Sequence, residues 1–296
     1  MSVTQLNAFT VDVEDYYHVS GFSKHIDRSA WDSFESRVVA STHRILDLLD
    51  RHHVRATFFV LGWVAERHPK LVHDIHQAGH EVGSHSYWHR LVYQMTPDEF
   101  RADLRRSKKV LEDIVCQPVT AYRAPSFSIT RASLWALDIL ADEGFCYDSS
   151  IFPIRHDRYG IPGAEPGLHQ IETRHGPLWE LPPTTVRVAG VNVPVAGGGY
   201  FRLYPSYCTC RAFSYLNRRG RSVVFYVHPW EIDPDQPRLR VGSRLGRFRH
   251  YVNLKTTERK LERLLQRYRF APLSQLVAEA AAVVQKPNNE VSYANS

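Results

Sequence analysis

Five short apolar runs alternate with helix-patterned segments in the first 150 residues, and this repeat restricts the chain more than any other feature. AFTVDVE at 8–14, ATFFVL at 56–61, HEVGS at 80–84, VTAY at 119–122 and FCY at 145–147 each read as a core strand. Between them, Val38, Ile45, Leu46 and Leu49 recur at helical spacing within 33–51, and a helix over 64–77 is stopped by Gly79. Thr96-Pro97-Asp98-Glu99 offers an N-cap, a first-turn proline and an N3 glutamate to a helix whose buried stripe is Phe100, Leu104, Val110, Leu111 and Ile114. A helix over 130–143 ends at Gly144. Strands that alternate with helices build a parallel sheet with helices outside it, so an α/β sheet or barrel is expected.

The second half is patterned differently. Prolines and glycines are frequent from 151 to 204, which reads as loops and short hairpins without a long helix. VVFYV at 223–227 is expected to be the last core strand, followed by a helix over 257–269 and a final one from Ser274, as N-cap, to Val284. Residues 286–296 carry no apolar period and read as a disordered tail. With no internal repeat or low-complexity linker, one domain over 1–285 is expected.

Composition excludes several classes. At 43% hydrophobic and 23% charged, the chain is neither disordered nor fibrous. The amino terminus has no basic segment followed by an apolar run, and no stretch reaches the roughly 18 apolar residues that cross a bilayer, so a cytoplasmic location is expected. Four cysteines are too few for a disulfide scaffold, and Cys208-Thr-Cys210 lacks the spacer of a redox or zinc hairpin, so reduced core thiols are expected. The net charge of +6 is local, with five arginines and no acid between Arg238 and Arg249. That stretch is either a solvated face or a surface for phosphate or an anionic membrane. No nucleic-acid partner is expected.

Sixteen histidines invite a search for metal ligands. In parallel α/β folds, functional side chains gather at the carboxyl ends of strands. Asp12, Glu14 and Asp15 follow the first strand, His85 and His89 the third, Arg123 the fourth, Asp148 the fifth and His228 the last. An HxxxH pair is by itself a weak signal. Directly after a core strand, and opposite a strand ending in three acids, it reads as two imidazoles brought together by one helical turn. With a carboxylate they would form a His, His, carboxylate set open to water and substrate. Strand alternation puts Asp12 and Glu14 on one side and turns Asp15 away unless the backbone bends. One carboxylate can ligate while another serves as base, and His228 can protonate a leaving amine.

TVDVED at 10–15, GHEVGSHSYWH at 79–89, YRAPSFS at 122–128, YDSSIFP at 147–153 and FYVHPWEID at 225–233 resemble, in order and spacing, the five motifs of the NodB-homology polysaccharide deacetylases, carbohydrate esterase family 4. GGGYFRLYP at 197–205 and HYVNL at 250–254 resemble the carboxy-terminal part of a subgroup associated with exopolysaccharide gene clusters. The resemblance implies a distorted (β/α) barrel with fewer than eight units, in a single domain whose carboxy-terminal extension begins at about 234. It implies Asp12 as base, Arg123 as the group orienting it, His228 as acid, Asp148 as the carboxylate orienting that histidine, and His85 and His89 as ligands of a divalent metal, expected to be Zn²⁺. Val13 stands where the family usually has a second aspartate, so Glu14, or else Asp15, supplies the third ligand. Tyr16, Trp88, Pro125, Ser126 and Trp230 lie near motif positions as candidate substrate contacts, although core packing suits the aromatic ones equally well.

The expected activity is metal-dependent removal of N-acetyl groups from amino-sugar units of a bacterial surface polysaccharide or its precursor. Two other readings stand beside it: a hydrolase of a small cyclic amide or formamide, and a non-catalytic carbohydrate-binding or scaffold protein of exopolysaccharide assembly. The expected partners are an N-acetylated oligo- or polysaccharide and, peripherally, a membrane or exopolysaccharide assembly proteins.

Overall fold

A computed structural model describes residues 5–284, so the tail read at 286–296 lies outside the described residues. In chain order the elements are β1 (Leu6–Val13), α1 (Val38–Arg51), β2 (Thr57–Val60), α2 (Gly62–Arg67), α3 (Pro69–Gln77), β3 (Glu81–Ser84), α4 (Pro97–Val115), β4 (Ala121–Tyr122), α5 (Trp135–Asp142) and β5 (Tyr147–Asp148). The hairpins β6 (His169–Thr173) with β7 (Gly176–Glu180) and β8 (Thr185–Val188) with β9 (Val191–Pro194) follow. The chain ends with α6 (Gly198–Leu203), α7 (Ser206–Asn217), β10 (Val224–Val227), α8 (Arg244–Tyr251), α9 (Leu254–Arg267), β11 (Arg269–Ala271) and α10 (Leu273–Val284).

The main sheet runs β10-β1-β2-β3-β4-β5-β7-β6, with β11 also paired to β1. Its pairs are parallel except for the β6–β7 hairpin. All eight residues of β1 are buried, as expected of a strand covered on both faces. Beyond β7 the chain returns to β10. Thr184 N–H donates to Val224 O at 3.4 Å, Val224 N–H donates to Thr184 Oγ1 at 2.8 Å, and Gly197 bridges Tyr226 in parallel. The sheet therefore curls back onto its first strands as a distorted α/β barrel, and its parallel strands end on one rim.

Local chemistry explains most departures from the sequence pattern. The helix read over 64–77 is two, because Pro69 has no N–H to donate and restricts His68, which takes φ −129° and ψ 56°. Thr96 and Glu99 form the reciprocal cap expected of α4. Helix α1 begins only at Val38, after a separate 3-10 turn at Arg28–Ser33, and the 130–143 segment divides into a 3-10 turn at Arg131–Ser133 and α5. VVFYV is not the last strand, since β11 adds to the amino-terminal half of β1. Ser274 lies within the first turn of α10 rather than capping it. The four cysteines are free thiols, but Cys116 and Cys146 are exposed and Cys208 and Cys210 half-buried, so none is a core thiol.

Candidate active site

Alternation along β1 sends Thr10 and Asp12 to the same side, where both meet Arg123. Arg123 is fully buried. Its Nη1 donates to Asp12 Oδ1 and to Thr10 Oγ1, each at 2.7 Å, its Nη2 donates to Ser149 Oγ at 2.7 Å, and its Nε donates to Ser149 O at 3.2 Å. The guanidinium also lies over the Phe59 ring at 4.3 Å. A cation held at so many points cannot swing away, so Asp12 is fixed in one orientation with Oδ2 turned to the rim. Thr10 and Ser149 are members of this site that the sequence reading missed. Only their places, two residues before Asp12 and one after Asp148, could have marked them.

The chain bends after Val13 and separates the two remaining acids. Asp15 turns away from the cluster, the side expected of it, although it lies in the bend and not in the strand. Its Oδ2 accepts from Ser36 Oγ at 2.8 Å and from the backbone N–H of Arg37 and Val38 at 2.9 and 3.2 Å, which occupies it at the start of α1. Burial nonetheless pushes its carboxyl up to about 6. Glu14 instead meets His85 and His89, and one candidate ligand atom from each of the three lies within 4.8 Å of the others. All three residues are buried, and Glu14 Oε2 lies 2.7 Å from His89 Nε2 without a well-directed hydrogen bond. Burial alone would raise the Glu14 carboxyl, but the charges of His89, His228 and His85 hold it well below the usual carboxylate range. Burial lowers His85 to about 4, and its Nδ1–H donates to Arg123 O at 2.8 Å, which leaves Nε2 free as a neutral donor. An underbonded carboxylate oxygen beside two imidazole nitrogens is the donor set of a divalent first-row ion, whose bonds of ~2.1 Å can gather atoms so placed.

No helical turn joins the two histidines. Residues 85–91 form an irregular loop in which Ser86 and His89 take φ of 68° and 52°, a strained region for side-chain-bearing residues. Asp103, from α4, holds the loop by accepting from Ser86 Oγ at 2.6 Å, Tyr87 N–H at 2.8 Å and Trp88 N–H at 3.2 Å. His85 and His89 thereby converge, with ring centroids 5.4 Å apart.

His228 closes the rim after β10. Its Nε2 lies 3.7 Å from both Asp12 Oδ2 and Glu14 Oε1. Its Nδ1–H donates to Glu231 Oε2 at 3.0 Å, so Glu231, and not Asp148, orients this ring. Burial would lower the His228 pKa, but the Glu231 hydrogen bond and the charges of Glu231, Glu14 and Asp12 outweigh it and push it up to about 9. Asp148 pairs across β5–β7 with Glu180 instead, and it accepts from Ser150 Oγ. Burial pushes both carboxyls up, and two like charges so placed favour a shared proton.

Residues 23–141 match the polysaccharide deacetylase family, and residues 149–278 match a domain of unknown function, DUF3473. Segment 23–141 of the chain belongs to the polysaccharide deacetylase family. A peptidoglycan-N-acetylglucosamine deacetylase of Bacillus cereus is 35% identical over 98 residues, which are 33% of this chain and 36% of that protein. The match thus spans little more than a third of that relative. A chitooligosaccharide deacetylase of Bradyrhizobium is 25% identical over 208 residues, covering 64% of this chain and 82% of that one. The crystal structure of a putative polysaccharide deacetylase from Mycobacterium smegmatis covers 96% of both chains with a TM-score of 0.61 at 20% identity, and shares the fold.

The family boundary at 149 lies far ahead of the extension read from about 234, yet it does not divide the sheet. Strands β2–β4 of the deacetylase segment and β6, β7, β10 and β11 of the DUF3473 segment lie in one sheet, joined by β1 and β5, which fall outside both matches. Two of the aromatic substrate candidates belong to the interior. Tyr16 is 1% exposed and packs edge-on against Tyr17. Trp230 is 5% exposed, stacks with both His228 and His250, and donates Nε1–H to Glu14 Oε1 at 3.3 Å. It supports the ligand set and offers no open face to a sugar. Pro125 is buried, whereas Trp88 and Ser126 stay partly exposed. Ser126 takes φ 51° and pairs its hydroxyl with that of Ser20 at 2.7 Å.

Proposed function

We propose that the protein removes N-acetyl groups from amino-sugar units of a bacterial surface polysaccharide or its precursor. One observation supports this reading above the others: on a single rim, a carboxylate held outside the ligand set, Asp12, and an imidazole, His228, face the cluster of Glu14, His85 and His89. A divalent ion bound there, proposed to be zinc, supplies an electrophile for the amide oxygen and acidifies water. Asp12, fixed by Arg123, accepts the proton of the attacking water at Oδ2. His228 delivers a proton from Nε2 to the departing sugar amine. Trp88 and Ser126 remain as candidate sugar contacts. Zinc-loaded protein is expected to release acetate from N-acetylglucosamine oligomers and to leave small cyclic amides intact. The opposite selectivity overturns the substrate class, and protein that purifies without stoichiometric metal and hydrolyses neither supports the scaffold alternative.

The acid-free arginine stretch supports a second contact, with an anionic membrane. Arg240, Arg244 and Arg247 line a groove on and beside α8 together with Phe248, and Leu245 and Phe248 are 56% and 57% exposed. Apolar side chains flanked by arginines suit a lipid headgroup layer of negative charge. At about 1 kcal/mol per arginine near such a surface, replacing these three by glutamine should weaken binding to vesicles rich in anionic phospholipid roughly a hundredfold. Co-sedimentation at low and high salt checks this. Binding that ignores salt, or persists in the triple variant, overturns it.

A further inference from the structure

The two carboxy-terminal motifs that the catalytic reading leaves unused meet directly behind His228. Arg202, from GGGYFRLYP, is 2% exposed and donates from Nε to Glu231 Oε1 at 2.6 Å. The other oxygen of Glu231 accepts the His228 backbone N–H at 2.9 Å and its Nδ1–H at 3.0 Å. The second motif, HYVNL, fixes the arginine: Arg202 Nη1 donates to His250 O at 2.6 Å and Val252 O at 3.1 Å, and Asn253 Nδ2 donates to Arg202 O at 2.9 Å. Lys260 Nζ holds the end of α6 by donating to the carbonyls of Arg202 and Tyr204 at 2.8 and 2.9 Å. His250 stacks on Trp230 at 4.3 Å and pairs its Nε2 with Gln236 Oε1 at 2.8 Å.

We infer that the DUF3473 segment serves as a positioning device for the deacetylation acid: Arg202 anchors Glu231, and Glu231 locks the His228 ring so that Nε2 faces Asp12 and Glu14. The inference rests on the reading of His228 as that acid. Arg202 and Glu231 lie behind the ring and do not reach the rim, so they are positioning residues. Their burial is physically informative. A carboxylate and a guanidinium removed from water are costly unless each is paired and its remaining hydrogen-bonding capacity is used. Here both Glu231 oxygens are engaged, and Arg202 spends further donors on two carbonyls. A ring anchored through both its backbone N–H and Nδ1 keeps one orientation, whereas an unanchored imidazole can flip and remove Nε2 from the leaving group. The same segment, 149–278, carries His228 itself, so the acid and the residues that hold it come from one part of the chain.

A double-mutant cycle on the zinc-loaded full chain separates positioning from mere structural support. Glu231→Gln preserves volume but cannot accept hydrogen bonds at both of its terminal atoms. It is expected to lower kcat for acetate release from N-acetylglucosamine oligomers about 10- to 100-fold, with KM and metal content unchanged. In a His228→Ala background the same change should cost less than about threefold, because there is no ring left to hold. Arg202→Lys should fall between wild type and Glu231→Gln, since an ammonium supplies charge without the planar fork that spans Glu231 and two carbonyls. An equal loss in both backgrounds, or no loss in the wild-type background, overturns the inference. If His228→Ala alone leaves kcat unchanged, it is the reading of His228 as acid that fails. Should the Arg202 variant not fold, the Glu231 cycle decides by itself.

Discussion

Replacing His85 by alanine should strip the protein of stoichiometric zinc and reduce acetate release to background. His85 is the ligand whose geometry is most constrained. Its Nδ1–H is committed to Arg123 O, which fixes both tautomer and ring plane and leaves Nε2 directed at the cluster. Alanine removes that donor, and the remaining pair, Glu14 and His89, cannot make a closed three-ligand set. Metal binding to the folded state also stabilises it, by about 4 kcal/mol when the free ion stands at a thousand times its Kd. Thermal unfolding of the wild type should therefore rise on adding zinc and fall with a chelator, while the variant's should respond to neither. A variant that keeps zinc by elemental analysis and keeps its activity would overturn the ligand assignment.

Asp12→Asn should give the second large effect, through the base instead of the ion. The asparagine carbonyl can still accept from Arg123, so the local structure should persist, but the group facing the rim can no longer take a proton. General-base contributions of this kind amount to about 10²- to 10⁴-fold in kcat. Zinc content should be unchanged, because Glu14, and not Asp12, completes the cluster. That division distinguishes the variant from His85→Ala, which loses both metal and rate. Loss of zinc from Asp12→Asn would reverse the roles of the two acids, and a rate near wild type would remove Asp12 from the mechanism.

These roles were legible in the sequence to different degrees, for physical reasons. Strand alternation carried Thr10 and Asp12 to one side, because a β-strand's period of two depends only on local backbone geometry, whereas Glu14 and Asp15 lie beyond the end of β1 at Val13 and reach the sides expected of them through the bend that follows. The helix-start signal at Thr96–Glu99 was equally local and is realised in full. The His85–His89 pair was found, but its geometry was not. A four-residue spacing suggests a helical turn, whereas the loop adopts two strained φ angles held by Asp103, eighteen residues from His85. No sequence pattern reports a side chain that caps a loop from the neighbouring helix. Helix α7 and helix α8 also escaped, since α7 follows a Pro/Gly-rich segment and α8 carries an arginine-rich pattern with few apolar positions.

The outcome for Asp148 is the clearest case of tertiary decision. Its place at the end of β5 is common to the motif pattern, yet it faces another buried carboxyl, Glu180, across the β5–β7 pair, while Glu231 orients His228 from three residues away. The sequence alone determined the alternation of strands and helices, the rim on which they end, and the residue types able to ligate, accept and donate there. Those properties follow from backbone periodicity and side-chain chemistry. Only the tertiary structure decided which carboxylate meets the histidines, that Trp230 is a support without a free face, and that Arg202 reaches Glu231. Such contacts join residues far apart in the chain, and their partners are chosen by how the curled sheet brings its ends together.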